Sequence, residues 1–221
     1  MKVLLVNGSP KPEGCTFTAL REVAGALERH GVETEIFQIG IKPVYGCTDC
    51  LKCRELGKCV FADDKCNEMA EKILKSDGVV VGTPVYYAGP NGALCALLDR
   101  VFYSKIGKFR HKPAACVVSC RRGGASAAFD RLNKYFTVAQ MPVVSSQYWN
   151  SVHGLKPGDV NSDLEGLQVM RILGNNMAWL LKNIEQGAPP PEMETRIATG
   201  FADGKAGVVV HNDWLGREDN P

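Results

Sequence analysis

The sequence predicts an α/β fold: a doubly wound, five-stranded parallel sheet with helices on both faces, followed by a C-terminal extended arm. Three observations predict it. Short β-branched runs alternate with segments of helical periodicity along most of the chain. The first, third and fourth runs are almost continuously apolar, as parallel strands covered on both faces are, rather than alternating in and out. The length, 221 residues with 45% apolar and 23% charged side chains, suits one α/β-sized core with extensions and argues against a disordered or fibrous chain.

Lys2 to Asn7 reads as the first strand, ended by Gly8-Ser9-Pro10. From Thr16 to His30, Leu20, Val23, Ala24 and Leu27 recur at helical spacing until Gly31 closes the helix and Val32 to Ile39 opens the second strand. Its Glu33 and Glu35 suit a sheet edge. After a cysteine-rich segment, Met69, Ile73 and Leu74 mark a helix, Gly78 to Thr83 the third strand and Ala93 to Tyr103 another helix. Ala114 to Cys120, Ala125 to Thr137 and Pro142 to Gln147 continue as strand, helix and fifth strand. Ser162 and Glu165 have capping-box spacing, and Leu164, Leu167, Met170, Leu173, Met177, Leu181 and Ile184 stripe a long closing helix. Gly187 and Pro189-Pro190-Pro191 stop it. The chain thus divides into a domain over 1–187 and a Pro-rich arm over 188–221. The arm's single apolar run, Val208 to Val210, is too short for its own core and is expected to pack along this or a neighbouring subunit.

Lys and Arg number 26 and Asp and Glu 24, a net charge of +2 too small to recruit nucleic acid or an anionic membrane by bulk electrostatics. The N-terminal Val3-Leu4-Leu5-Val6 is shorter than the apolar core of a secretory leader, and no small-residue cleavage site follows. Gly78 to Leu98, the longest uncharged stretch, is broken by Gly82, Pro84, Gly89, Pro90 and Gly92, so it cannot make a membrane helix. A soluble, cytoplasmic chain is expected, with no nucleic-acid and no membrane partner. The nine cysteines are odd in number and four crowd into thirteen residues, which suits metal or redox chemistry better than a disulfide framework.

In doubly wound sheets ligands bind outside the carboxyl ends of the strands. The loop after the first strand, Gly8 to Thr18, combines a helix N-terminus with the hydroxyls of Ser9, Thr16 and Thr18 and the charge of Lys11, a composition suited to a phosphate. A nucleoside-triphosphate loop fails, because five residues separate Gly8 from Gly14 and Cys15 stands where the lysine belongs. A dinucleotide fingerprint fails as well, since Gly8-Ser9-Pro10 lacks the second glycine. A monophosphate remains. Tyr86 and Tyr87, in the loop after the third strand, offer flat side chains to a ring system, and the two loops together suggest flavin mononucleotide (FMN).

Val6-Asn7-Gly8-Ser9-Pro10-Lys11, Thr83-Pro84-Val85-Tyr86-Tyr87, Leu97-Leu98-Asp99-Arg100 and the compact cysteine run ending in Cys59-Val60 resemble the flavodoxin-like NAD(P)H-dependent FMN reductases, and within them the iron–sulfur flavoproteins. The resemblance covers residues 1–187 and implies that the first loop holds the FMN phosphate through Ser9, Lys11, Cys15, Thr16, Phe17 and Thr18. At Cys15, where asparagine is common, and at Phe17, where a small hydroxyl residue is common, it implies no more than a backbone contact. It further implies that Pro84, Val85, Tyr86 and Tyr87 flank the isoalloxazine, and that Ser119, Cys120, Arg121, Arg122, Gly123 and Gly124 meet its pyrimidine side. Paired glycines let backbone approach a ring, and a guanidinium stabilises the negative charge of a reduced flavin. No catalytic side chain is expected, because the flavin carries the chemistry. Asp99-Arg100 reads as a helix-end ion pair.

Cys47, Cys50, Cys53 and Cys59, spaced C-x2-C-x2-C-x5-C, are the metal candidates. Thiolates at every third residue can wrap a cubane, whereas structural zinc usually sets two knuckles farther apart than Cys50 and Cys53, which only Leu51 and Lys52 separate. By resemblance, iron–sulfur flavoproteins hold a 4Fe-4S cluster with this spacing, while other relatives with a similar run and the following Asp63-Asp64 bind FMN alone. A cluster, a Cys47–Cys50 redox disulfide and free thiols all stay open. Cys66, Cys95 and Cys116 read as packing residues.

The resemblance implies an oxidoreductase that passes reducing equivalents from NAD(P)H through FMN to a small acceptor: a quinone, a nitro or azo compound, or a flavin. Tyr86, Tyr87, Tyr148, Trp149 and His153 are the candidates to shape the acceptor pocket. Two alternatives stand beside it: an electron carrier with FMN and a 4Fe-4S cluster fed by a ferredoxin-like partner, and a flavin-binding module without turnover. Paired subunits, a homodimer or homotetramer, are implied by the same resemblance.

Overall fold

The computed structural model describes residues 1–194, 197–202 and 205–210. Its elements in chain order are β1 (Lys2–Asn7), α1 (Cys15–Arg29), β2 (Glu33–Gln38), α2 (Cys53–Leu56), α3 (Cys66–Leu74), β3 (Gly78–Pro84), α4 (Gly92–Ser104), β4 (Ala114–Cys120), α5 (Ala125–Val138), β5 (Ser151–His153), α6 (Pro157–Val160), α7 (Leu164–Gln186), β6 (Ile197–Ala202) and β7 (Lys205–Val210). The sheet runs in the order β2-β1-β3-β4-β5, and every pair is parallel.

Period-two alternation within apolar strands gives the sheet two buried faces. Leu4, Val6, Val79, Val81, Ala114 and Cys116 point to one side, where Met69, Leu94, Leu97, Leu98, Val101, Leu132 and Phe136 of α3, α4 and α5 cover them. Val3, Leu5, Val80, Ala115 and Val117 point to the other, under Leu20, Val23, Leu27, Met170, Leu173 and Met177 of α1 and α7. The doubly wound α/β sheet is therefore as expected, with β2 on one edge. Among the described residues no helix is long and apolar enough to cross a membrane.

Two local expectations need correction. The fifth strand is not Pro142 to Gln147: there only Val143 bridges β4, with Ala114 N donating to Pro142 O (2.9 Å) and Val144 N to Ala114 O (2.8 Å). The chain then bows outward through the exposed Tyr148 and Trp149 and rejoins the sheet at Ser151–His153, beside Val118–Cys120. An apolar pair followed by a polar excursion imitates a strand in sequence, but only the return segment pairs. The cap of α7 is Asp163, whose carboxylate accepts from Gly166 N at 2.9 Å, rather than the Ser162–Glu165 box. Within the arm, β6 and β7 pair antiparallel with each other and not with the main sheet. Residues 191–194 line a cavity of about 850 Å³ together with Tyr103, Phe109 and Val138. The rest of the arm, 195–196, 203–204 and 211–221, lies outside the described residues.

At Gly174, α7 crosses α1 so closely that a Cβ would lie 2.6 Å from Ala26 Cβ and 2.8 Å from Val23 O. Gly174→Val overpacks this contact and is expected to lower unfolding free energy by about 1–3 kcal/mol. Urea denaturation checks it; an unchanged midpoint would contradict the close approach.

Candidate active site

The carboxyl edge of the sheet brings the loops after β1, β3 and β4 together, because buried polar side chains tie each to the next. Asn7, fully buried at the end of β1, donates through Nδ2 to Lys11 O and Pro12 O (both 3.3 Å) and to Gln38 Oε1 (2.5 Å), while its Oδ1 accepts from Ser9 N (3.2 Å). Gln38 Nε2 in turn donates to Ser9 O at 2.6 Å. The turn from Gly8 to Gly14 is thus shaped from inside. Asn91 joins it to the β3–α4 loop: its Nδ2 donates to Gly8 O (2.9 Å), its N to Thr83 Oγ1 (3.0 Å), and its Oδ1 caps Ala93 N (2.9 Å). Thr16 and Ser119, both buried, share a hydrogen bond of 2.8 Å that joins α1 to the end of β4.

These ties separate the expected phosphate residues into two groups. The hydroxyls of Ser9 and Thr16 face inward, as does that of Ser119, which was expected at the pyrimidine side of the ring; Ser9 Oγ accepts from Lys11 N at 3.1 Å. Lys11 is exposed, and Cys15, Phe17 and Thr18 are half-buried on the first turn of α1. No side chain caps that turn at Gly14, so its first N–H groups keep their capacity for an anion. Burial pushes the Cys15 thiol up, with Asp159 adding to the rise and Lys11 opposing it, so it stays a neutral thiol. A cradle of this kind fits a phosphate monoester.

The β3–α4 loop makes a tight turn in which Tyr86 N donates to Gly89 O (2.8 Å) and Gly89 N to Tyr86 O (3.0 Å). Tyr87 and Ala88 at its tip have φ of 48° and 59°, a left-handed conformation that costs of order 1–3 kcal/mol where no glycine stands. That strain lifts Tyr87 fully into solvent, beside the half-exposed Tyr86. Gly124, at φ 92°, lies under this loop: a Cβ would be 2.8 Å from Ala88 Cα and 2.9 Å from Val85 Cγ1. Val85 N donates to Ser119 O at 2.9 Å, which keeps Pro84 and Val85 against β4. Arg121, Arg122 and Gly123 are exposed on the same edge. Tyr148 and Trp149, 5.1 Å apart between ring centroids, and His153 flank it from the β5 side, all exposed.

The cysteine run lies over the outer side of α4. Cys47, Cys50, Cys53 and Cys59 line one cavity with Phe61, Arg100 and Tyr103, and its present volume of about 20 Å³ is room for about one water. All four are free thiols, with Cys47 and Cys50 exposed. Burial pushes the Cys53 thiol up, and the charges of Cys47, Cys50 and Cys59 add to the rise. Asp49 and Leu51, on either side of Cys50, have φ of 49° and 58°. Among the described residues no three His, Cys, Asp or Glu side chains converge to hold a single metal ion. Four free thiols around one cavity are donors of the type that an iron–sulfur cluster takes.

The helix-end reading of Asp99-Arg100 is corrected. Arg100 sits inside α4, 2% exposed, and pairs with Asp64 through both terminal nitrogens, while Asp99 accepts from Tyr135 Oη at 2.5 Å. Sequence reasoning also missed Asn7, Gln38 and Asn91 as organisers. Only Asn91 carries a local signal, an Asn-Gly just before an apolar helical run.

The chain resembles known proteins along most of its length. Residues 1–156 match the family model described as NADPH-dependent FMN reductase. An iron-sulfur flavoprotein of Methanocaldococcus jannaschii is 34% identical over 194 residues, covering 84% of this chain and 100% of that protein. Among solved structures, a flavone reductase superposes with a TM-score of 0.66 at 16% identity, covering 97% of this chain and 83% of that one. A flavodoxin from the domain Archaea superposes with a TM-score of 0.57 at 15% identity, covering 82% and 99%. At these identities the two structures speak for the fold, which is flavodoxin-like.

Asp163 links the edge of this site to the closing helix, since its Oδ2 accepts from His153 N at 2.7 Å and lies 3.2 Å from His153 Nδ1. Burial pushes its carboxyl up, but bonds from Gly166 N and His153 outweigh that and hold it below the usual range. Its contribution to stability is therefore complete above the unfolded carboxylate value of about 3.9 and is lost as pH falls through the lower folded value. Asp163→Ala is expected to cost about 1 kcal/mol near neutrality, a difference that vanishes in strong acid. Thermal unfolding of both proteins across that range checks it.

Proposed function

The chain belongs to the NADPH-dependent FMN reductase family, and on that premise we propose that its carboxyl-edge loops hold FMN and pass reducing equivalents from NAD(P)H to a small acceptor such as a quinone, a nitro or azo compound, or a flavin. The observation that carries this reading is the convergence of an uncapped helix start, a strained aromatic turn and a glycine-floored loop on one edge of the sheet. FMN, when bound, supplies hydride acceptance and onward electron transfer. The chain's own residues do the rest. Lys11 and the first N–H groups of α1, with Thr18 beside them, neutralise the phosphate. Pro84, Val85, Tyr86 and Tyr87 form a wall for the ring, and Gly123 and Gly124 let backbone reach its polar edge. Arg121 and Arg122 supply positive charge where a reduced ring gathers negative charge. Tyr148, Trp149 and His153 bound the space left for the acceptor.

A second reading adds the cysteine run as an electron entry port. The four cysteines on one cavity and the iron-sulfur flavoprotein relative support a 4Fe-4S cluster held by Cys47, Cys50, Cys53 and Cys59, fed by a ferredoxin-like donor. The two readings differ in their electron source, and anaerobic bleaching of the bound flavin by NADPH alone separates them. Rapid bleaching, followed by recolouring on addition of a quinone, supports the reductase; bleaching only with a reduced ferredoxin supports the carrier. Lys11→Ala is expected to weaken FMN retention about tenfold, the effect of losing one charge-assisted phosphate contact of about 1.4 kcal/mol. FMN content after gel filtration reads it, and full retention would count against the loop assignment.

A further inference from the structure

We propose that Arg100 is the positioning residue of the cysteine run: it fastens the run to α4 and, through an N–H···S bond to Cys59, tunes the iron–sulfur site that the run forms. This rests on the reading of Cys47, Cys50, Cys53 and Cys59 as that site. A guanidinium has five N–H groups, and all five are used here. Nε donates to Cys59 Sγ at 3.1 Å; Nη1 donates to Tyr45 O (3.2 Å) and to Asp64 Oδ2; Nη2 donates to Phe61 O (3.0 Å) and to Asp64 Oδ1 (3.2 Å). The acceptors lie on both sides of the run, at residue 45 before its first cysteine and at 59, 61 and 64 from its last cysteine onward. One side chain therefore closes the loop that the cysteines occupy.

The surroundings support this arrangement. Phe61 packs under the guanidinium, 5.3 Å from ring centroid to Cζ, and stacks on Tyr45 at 5.3 Å. Asp64 is also pinned by Cys66 N at 3.0 Å, and Asn67 holds Cys59 by its N (2.9 Å) and O (3.0 Å). Between Tyr45 and Phe61 the run offers little to pack: Leu51, Leu56 and Val60 are exposed. Its position is thus set by hydrogen bonds to Arg100 rather than by a core of its own. Hydrogen bonds to ligating sulfur stabilise the added negative charge of a reduced cluster and raise its potential, so the Nε–H donor does more than hold the loop.

The test compares anaerobically purified wild type, Arg100→Lys and the pair Arg100→Met with Asp64→Leu, which removes both buried charges together. Circular dichroism, FMN content, iron and acid-labile sulfide per chain, and the cluster's reduction potential from a dye-mediated redox titration are read. All three are expected to keep the fold and FMN. The lysine variant keeps its iron but is reduced at a more negative potential, because lysine cannot serve Asp64 and Cys59 at once; the double variant loses its iron. Iron held by the double variant at the wild-type level, or a lysine variant with the wild-type potential, overturns the role of Arg100. Wild type without iron overturns the reading beneath it. Should the double variant fail to fold, the potential of the lysine variant decides.

Discussion

A parallel sheet buried on both faces can offer polar groups to solvent only at the ends of its strands. In this chain Val3 to Val6, Val79 to Val81 and Ala114 to Val118 are all fully or almost fully buried, so a ligand can meet the sheet only at its strand ends, and the proposed site takes the carboxyl edge. The polar groups that leave the sheet there must find partners before they can serve a ligand, since each unmade bond on a buried group costs about 1–3 kcal/mol. Asn7, Asn91 and the Thr16–Ser119 pair meet that demand. The loops they bind together are then free to present backbone N–H groups, aromatic faces and cationic side chains outward. The shape of the site follows from the burial of the strands behind it.

The cysteine run obeys a different logic. It is an excursion between the edge strand β2 and α3, without a core of its own, and it borrows order from α4. That helix is capped by Asn91, which fixes the aromatic turn, and carries Arg100 nine residues on, about 13 Å along its axis. Leu97, Leu98 and Val101 lock it against the sheet. One rigid element therefore registers both the aromatic turn and the cysteine run. A buried ion pair is seldom worth its desolvation as a stabiliser; here Arg100 and Asp64 make sense as specificity, because they select one loop conformation out of many.

Much of this was legible in the sequence, and the gaps have physical causes. The strands β1, β3 and β4 and the helices between them follow from continuous apolar runs and helical spacing, which need no tertiary knowledge. The loops worth inspecting follow from where such a sheet ends. The fifth strand was misplaced because Val143 and Val144 carry the apolar signal while the residues that pair, Ser151 to His153, do not. The inward turn of Ser9, Thr16 and Ser119 was hidden because a hydroxyl reads alike whether it caps, binds a ligand or ties two loops. Arg100 was misread for a related reason. Its partner Asp64 lies 36 residues away, and adjacency to Asp99 is a weaker claim on a buried guanidinium than the five acceptors that fold around it.

The claim on which the account turns is that the uncapped first turn of α1 grips a phosphate while the aromatic turn holds a ring. Its most direct measurement is a titration of flavin-free protein with FMN and, separately, with riboflavin, following the quenching of flavin fluorescence. The account predicts tight binding of FMN and binding of riboflavin weaker by at least about a hundredfold, since the phosphate's charge-assisted bonds, together worth about 3 kcal/mol or more, are missing. Equal affinity for the two would contradict it and would move the site away from the β1–α1 loop.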